Sequence, residues 1–81
     1  MIDRLRMLTQ EEVAEALNAN LSTITNLREL GILPAIKTGR NYMFSQDEIK
    51  KFQSDYSGLD VSNRVKAIQS MTIVKSRFEK L

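Results

Sequence analysis

The sequence predicts a mainly α-helical fold with a small β-hairpin, which is a winged helix-turn-helix followed by a long C-terminal helix. Two short helical patterns are separated by a tight turn at Asn18, as in a helix-turn-helix. A hairpin pattern around Gly39 follows, and a helical periodicity then extends over residues 60–81. We expect residues 1–58 to form the winged domain and residues 59–81 to form a helix used for packing or oligomerisation.

Composition excludes several classes of protein. With 81 residues, the chain can form one small domain with a modest core. Cysteine and histidine are both absent, so disulfides and zinc sites of the usual ligands are excluded, and we expect no metal and no cofactor. No apolar run could span a bilayer or serve as a signal peptide, so we expect a cytoplasmic protein without membrane contact. No nucleophile is paired with a base, so we expect no enzymatic activity.

Charge is distributed unevenly, although the net charge is only +2. Residues 10–20 contain three glutamates and no basic residue. Residues 32–45 contain Lys37 and Arg40 without an acidic residue, and residues 59–81 contain five basic and two acidic residues. The hairpin and the C-terminal segment are therefore the parts expected to face a polyanion.

The first helix is predicted from a capping box. The Thr9 side chain can accept a hydrogen bond from a backbone N–H at the start of the helix, and the Glu12 side chain can accept one from the backbone N–H of Thr9. The buried face of this helix would consist of Val13, Ala14 and Leu17. We expect the helix to end near Asn18, because asparagine tolerates the left-handed backbone of a tight turn.

The second helix is predicted to begin after Asn20, a residue type that favours the N-cap position. Ile24 and Leu27 lie three residues apart and would face the core. The helix is expected to run to about Leu30, because Gly31 is typical of the position just after a helix.

A β-hairpin is predicted from residues 35–44. The turn, at residues 38–41, contains Gly39, which adopts the positive φ angles of hairpin turns. Ile36 on the first strand, with Tyr42 and Phe44 on the second, is expected to supply the inward face. Two strands alone are marginally stable, so the hairpin should pack on the helices.

Two further helices complete the pattern. A third helix is predicted from a capping box of Ser45 and Glu48, with Ile49 and Phe52 buried, and it should end near residues 57–58. The last helix should begin at Asp60 or Ser62 and continue to residue 81. Its main apolar stripe is Ala67, Met71, Val74, Phe78 and Leu81, and a second row is formed by Val61, Val65 and Ile68.

The wide apolar stripe on the last helix needs a cover. The helix could fold back on the domain, pair with a second copy of the chain, or begin a longer coiled coil. We expect self-association, because so small a domain has little surface with which to cover the stripe. The predicted oligomerisation residues are Ala67, Met71, Val74, Phe78 and Leu81.

Residues 8–52 resemble the excisionase-type helix-turn-helix domains, which are relatives of the winged-helix module of the mercury-resistance (MerR) regulators. The most specific matching motif is Gly31-x-Leu33-Pro34-Ala35-x-Lys37, followed by Gly39-Arg40-x-Tyr42. The other matching residues are Leu8, Thr9, Glu11, Glu12, Val13, Ala14, Leu17, Thr23, Ile24, Leu27, Ile36, Asp47, Glu48, Ile49 and Phe52. The chain departs from the family at Leu21 and Ser22, where members often have basic residues, and at Asn18, where they often have glycine.

This resemblance implies binding to double-stranded DNA, with the second helix in the major groove and the wing beside the backbone or the minor groove. It also implies a role as an excisionase or small transcription regulator of a phage or mobile element. The second helix would contribute Asn20, Leu21, Ser22, Thr23, Thr25, Asn26 and Arg28. The wing would contribute Lys37, Thr38, Arg40, Asn41 and Tyr42.

Helical geometry supports part of this assignment. Burying Ile24 and Leu27 turns Ser22, Thr25 and Asn26 outward, and these are side chains that bond to base edges. Glu29 also faces outward and would discourage nonspecific binding by repelling phosphates. Arg40 on the wing suits a phosphate or a narrow minor groove. Tyr42 could bond a phosphate or simply pack within the hairpin.

A different class of function stays open at this point. The winged fold could be a scaffold whose last helix binds a recombinase, a repressor or a replication partner. The nearly neutral second helix with Glu29 favours this alternative, whereas the basic wing at Lys37 and Arg40 opposes it.

Overall fold

The computed structural model describes residues 5–79. Seven elements follow one another along the chain: β1 (Leu8–Thr9), α1 (Gln10–Ala16), α2 (Leu21–Glu29), β2 (Ile36–Thr38), β3 (Asn41–Phe44), α3 (Gln46–Asp55) and α4 (Arg64–Glu79). The predicted fold class is confirmed, because a helix-turn-helix, a hairpin wing, a third helix and a C-terminal helix occur in the predicted order.

Both ends of α1 form as predicted, with a capping box at its start and a tight turn after its end. The Thr9 hydroxyl accepts a hydrogen bond from the Glu12 backbone N–H at 3.1 Å, and the Glu12 carboxylate accepts one from the Thr9 N–H at 2.9 Å. This bond from Thr9, together with the nearby Arg6 guanidinium, lowers the pKa of Glu12. Asn18 has a φ of 54°, the left-handed conformation expected of it, and α1 ends at Ala16.

α2 begins directly after Asn20, as predicted, although the Asn20 side chain makes no capping hydrogen bond. The helix ends at Glu29 with Leu30 as its C-cap, and Gly31 follows with a φ of 78°. A residue with a Cβ is strained in that conformation, which explains why glycine stands at this position.

The sheet has three antiparallel strands in the order β1-β3-β2. The hairpin of β2 and β3 turns at Gly39, whose φ is 73°. The outer strand β1 was not predicted from the sequence. It pairs Leu8 with Phe44 and Thr9 with Met43, so the residues that precede α1 are joined to the wing.

The strand register corrects the predicted inward face of the hairpin. Ile36 pairs with Met43, whereas Tyr42 pairs with Lys37. Cross-strand partners share a face and neighbours along a strand alternate, so Ile36 lies on the face opposite to Tyr42 and Phe44. Phe44 is fully buried, and Ile36 is 57% exposed. The prediction for Ile36 was wrong because a one-residue difference in register exchanges the two faces.

α3 begins where the sequence predicts it. The Ser45 hydroxyl accepts a hydrogen bond from the Glu48 backbone N–H at 3.1 Å. This is the first of the two hydrogen bonds of the predicted capping box. Ile49 and Phe52 are buried, and Phe52 stacks on Tyr56 with ring centroids 5.2 Å apart. The helix ends at Asp55, slightly earlier than expected.

α4 begins later than predicted. The Asp60 carboxylate accepts hydrogen bonds from the Ser62 hydroxyl at 2.6 Å and the Ser62 N–H at 2.9 Å, which closes a turn and lowers the pKa of Asp60. Asn63 is the residue that caps the helix, because its side-chain oxygen accepts from the Lys66 N–H at 2.9 Å. The predicted start at Asp60 or Ser62 was wrong, since both residues are used in the preceding turn.

The buried core draws on every helix and on β3. Its members are Val13, Ala14, Ile24, Leu27, Leu33, Phe44, Ile49, Phe52 and Ala67. Ala67 lies in α4 and is fully buried, so α4 folds back on its own chain. This is the first of the three arrangements considered from the sequence. No helix of the described residues is long and apolar enough to cross a membrane.

The predicted oligomerisation residues are therefore largely occupied within one chain. Ala67 and Val74 are buried, Met71 is half-buried, and Phe78 remains 53% exposed. Leu81 lies outside the described residues. The periodicity of α4 placed Ala67, Met71 and Val74 on the side that packs, but a pattern along one helix does not specify which surface covers that side. Pairing of two copies stays a prediction.

Candidate nucleic-acid interface

The outward side of α2 forms a polar ridge, which we define as Ser22, Thr25, Asn26 and Glu29. Ser22 and Glu29 are exposed, and Thr25 and Asn26 are half-buried on the two flanks. The ridge begins beside Leu21, whose side chain is 47% exposed. Burial of Ile24 and Leu27 on the opposite side explains this placement, because residues three apart share one helix face. The ridge can therefore meet a macromolecule.

Thr23 lies on the inner side of α2. It is only 9% exposed, next to the buried Ile24. The sequence analysis included Thr23 among the DNA-contacting residues, and its burial removes it from the surface that a groove would meet. Asn20, at the start of the helix, is exposed and stays part of that surface.

One flank of the ridge is held by α1. The Gln10 side-chain amide donates a hydrogen bond of 2.7 Å to the Thr25 hydroxyl oxygen and one of 3.4 Å to the Leu21 carbonyl. Gln10 was not identified from the sequence. It lies fifteen residues from Thr25, and no local pattern links the two positions.

The other flank is held by α4. Nη1 of Arg64 donates to the Asn26 side-chain oxygen at 3.3 Å and to a Glu29 carboxylate oxygen at 3.1 Å. Arg64 was also missed by sequence reasoning, because it reaches the ridge only through the packing of α4 on α2. The contact brings a positive charge to the end of the ridge where Glu29 would repel phosphates.

The wing is tied to α2 through an aromatic platform. The guanidinium of Arg28 lies over the Tyr42 ring, 3.9 Å from its centroid, and the Lys37 ammonium lies 5.8 Å from the same centroid. Cations are attracted to the face of an aromatic ring. Nε of Arg28 is buried and has no hydrogen-bond partner among the described residues. Tyr42, which is half-buried, therefore orients two cations with its ring.

The tip of the wing is exposed and basic. Lys37, Thr38, Arg40 and Asn41 are all exposed, and residues 36–44 contain no acidic side chain. A cleft separates this tip from the start of α1, and it is lined by Thr9, Gln10, Glu11, Arg40, Asn41 and Tyr42. The wing thus presents cations beside the α2 ridge, an arrangement suited to a polyanion.

The surface formed by the ridge and the wing offers hydrogen-bonding groups and positive charge. Within residues 5–79, no group of three or more acidic, histidine or cysteine side chains is placed to hold a metal ion. The ridge supplies hydroxyl and amide groups, which bond to base edges, and the wing supplies cations, which bond to phosphates.

Comparison with known proteins identifies the family of this fold. Searches of curated proteins and of solved structures give no match to the chain. The sequence pattern of a helix-turn-helix domain family, HTH_17, matches residues 7–56, which is more than half of the chain. The match extends from β1 to the end of α3 and includes the ridge and the wing. The chain therefore belongs to this family of helix-turn-helix domains, which bind DNA.

Proposed function

We propose that the protein binds double-stranded DNA at specific sequences, with α2 in the major groove and the wing against the backbone or the minor groove. The exposed polar ridge on α2, flanked by the basic wing, carries this proposal. A major groove admits one α-helix, and hydroxyl and amide side chains distinguish the base pairs within it. The proposed contacts are Asn20, Leu21, Ser22, Thr25, Asn26 and Arg28 in α2, and Lys37, Thr38, Arg40, Asn41 and Tyr42 in the wing.

Within that activity we propose a role as a transcription regulator or an excisionase of a phage or mobile element. The support is the resemblance of residues 8–52 to excisionase-type and MerR-like domains. The two roles predict different footprints on DNA. A dimeric regulator protects two inverted half-sites about 34 Å apart. An excisionase that bends DNA stacks instead on direct repeats, so footprinting on a selected site separates the two roles.

Replacing Arg40 with alanine is expected to weaken binding to specific and random duplexes alike, by about threefold to tenfold. The reason is that a wing cation bound to phosphate releases counterions without reading a base. The slope of log affinity against log salt should fall by about one. Titration of a fluorescent duplex at several salt concentrations measures both quantities.

The matched control for Arg40 is Lys50→Ala, which removes one positive charge from the exposed side of α3. We expect the control to keep the salt slope of the unmodified protein. If Arg40→Ala binds as tightly as the unmodified protein at low salt, the wing does not contact the backbone.

We propose a second copy of the chain as the partner of α4, through the side of the helix that faces away from the core. This side, the outer face of α4, consists of the uncharged residues Val65, Ile68, Gln69, Thr72, Ile73 and Ser76, all exposed, and its C-terminal end carries Glu79. Measured along the helix axis, Ile68 and Ile73 lie at equal distances on either side of the middle of this face. Gln69 and Thr72 are placed symmetrically in the same way. An antiparallel two-fold pair therefore sets isoleucine against isoleucine and amide against hydroxyl.

Sedimentation tests this assembly. We expect the unmodified protein to associate at high micromolar concentration and Ile68→Glu to sediment as a folded monomer, because each new carboxylate would be buried against Ile73 of the other copy without a partner. Lys66→Glu, a change outside the outer face of α4, should leave the association intact. A monomeric unmodified protein at high micromolar concentration would contradict the assembly.

The exposed apolar groups of α4 also favour the second candidate, a protein–protein module that binds a recombinase, a repressor or a replication partner. Val65 is 64% exposed, and Ile73 is 43% exposed. Selection from random-sequence duplexes decides between the two candidates. An enriched motif with salt-dependent affinity supports DNA binding, whereas the absence of both supports the module.

A further inference from the structure

The two flanking residues of the ridge each accept a hydrogen bond from a residue outside α2. The Thr25 hydroxyl oxygen accepts from Gln10 at 2.7 Å, and the Asn26 side-chain oxygen accepts from Arg64 at 3.3 Å. Both donors come from elements packed on either side of α2, so the orientation of the two ridge side chains is set by tertiary structure.

These contacts determine which hydrogen-bonding groups remain for a partner. A hydroxyl whose oxygen accepts a bond still has its own proton to donate. An asparagine whose oxygen is directed at Arg64 turns its NH2 group, with two hydrogens, away from that contact. Thr25 and Asn26 therefore present donors to a groove.

Donors favour some base edges over others. Guanine presents two acceptors in the major groove, O6 and N7, whereas adenine presents the N7 acceptor and an N6 donor. The usual asparagine–adenine pair needs the side-chain oxygen and nitrogen together. In this chain the Asn26 oxygen is engaged by Arg64, which disfavours that pair.

Given the proposed DNA binding, on which this step rests, we infer that α2 selects guanine and that Arg64 is the positioning residue for this preference. Arg64 holds Asn26 with its donors outward, and the same nitrogen binds Glu29. The side chains of Arg64 and Glu29 are 51% and 47% exposed, so their ion pair adds little stability but offsets the negative charge facing the phosphates.

The packing of α4 keeps Arg64 in place. Ala67, one turn after Arg64, is fully buried against the winged domain. The Ser70 hydroxyl donates to the Asp60 carbonyl at 2.6 Å, which joins the turn before α4 to the helix itself. α4 lies outside the region that matches the family. Through Arg64, it therefore sets the base preference of α2.

The test is selection from random-sequence duplexes, followed by affinity measurement on single-base variants of the selected site. For the unmodified protein we expect guanine at a contacted position, preferred over adenine by about tenfold. Asn26→Asp replaces the amide donors with acceptors at constant size. It should move the preference at that position from guanine to cytosine, whose N4 is a donor.

Arg64→Ala tests the positioning role. We expect the preference for guanine over adenine to fall to about twofold, because the freed amide can rotate to pair with adenine. Affinity for all sequences should also fall as Glu29 loses its partner. Arg77→Ala, the same change on an exposed residue of the last turn of α4, should leave the base preference unchanged.

The outcomes are distinct. An adenine preference in the unmodified protein, or no base preference at the Asn26 position, overturns the inference while leaving DNA binding intact. An Arg64→Ala protein that loses affinity but keeps the guanine preference shows that Arg64 supplies charge only, which also overturns it. If the unmodified protein shows neither an enriched sequence nor salt-dependent binding, the proposed function itself fails. Thermal melting of each variant confirms that the protein tested is folded.

Discussion

Replacing Ser22 with glutamate is expected to reduce DNA affinity by about a hundredfold while leaving the fold at least as stable as before. Ser22 is exposed at the start of the polar ridge, so a carboxylate there would face the phosphates and base edges of a groove. The first turn of α2 contains no acidic residue. A glutamate in the first turn interacts favourably with the helix dipole, by about 0.3–1 kcal/mol.

The Ser22 prediction separates binding from folding. Titration of a duplex measures the affinity, and urea unfolding followed by circular dichroism measures the stability. Ser54→Glu, the same change on the exposed side of α3, should keep the affinity within about twofold, because a charge far from the DNA is screened by salt. Unchanged affinity in Ser22→Glu would mean that the first turn of α2 stays outside the groove.

Replacing Phe44 with alanine is expected to unfold most of the protein at physiological temperature. Phe44 is among the largest fully buried side chains, and its strand pairs with β1 on one side and β2 on the other. Removing a buried phenylalanine ring costs about 3–5 kcal/mol, through lost burial and the cavity left behind. A domain of this size has a stability of only about that magnitude.

Phe78→Ala is the matched control for the loss of an aromatic ring. Phe78 lies in the last turn of α4 and is 53% exposed. We expect it to lower the free energy of unfolding by less than about 1 kcal/mol, as exposed substitutions usually do. Urea unfolding compares the two variants. If Phe78→Ala loses as much free energy of unfolding as Phe44→Ala, Phe78 is not exposed in solution. That result would indicate that a second copy of the chain covers Phe78.

Local sequence patterns predicted the elements well where the cause is local. The capping residues Thr9 and Ser45 mark the starts of α1 and α3, because each bonds to a backbone N–H three residues further on. Asn18 and Gly39 mark turns, because both adopt positive φ angles. Such interactions depend on neighbours in the chain, so one sequence is enough to predict them.

Pairings between distant segments were not predicted. β1 has only two residues, too few for a strand pattern, and it forms because β3 offers a free edge. The face occupied by Ile36 depended on the register of the hairpin. The start of α4 depended on a turn in which Asp60 binds Ser62, leaving Asn63 as the cap.

The candidate site shows the same division. Helical periodicity alone indicated that Ser22, Thr25 and Asn26 face outward, since burying Ile24 and Leu27 leaves no other orientation. It did not show that Thr23 is buried, because the width of the buried stripe depends on what packs against α2.

By itself, the sequence determined the winged helix-turn-helix, its caps and turns, and the basic character of the wing, since these arise from interactions over a few residues. Only the tertiary structure decided that α4 folds back on the domain and that Gln10 and Arg64 hold the two flanks of the α2 ridge. The physical reason is that hydrogen bonds between residues fifteen and thirty-eight positions apart exist only after the helices have packed.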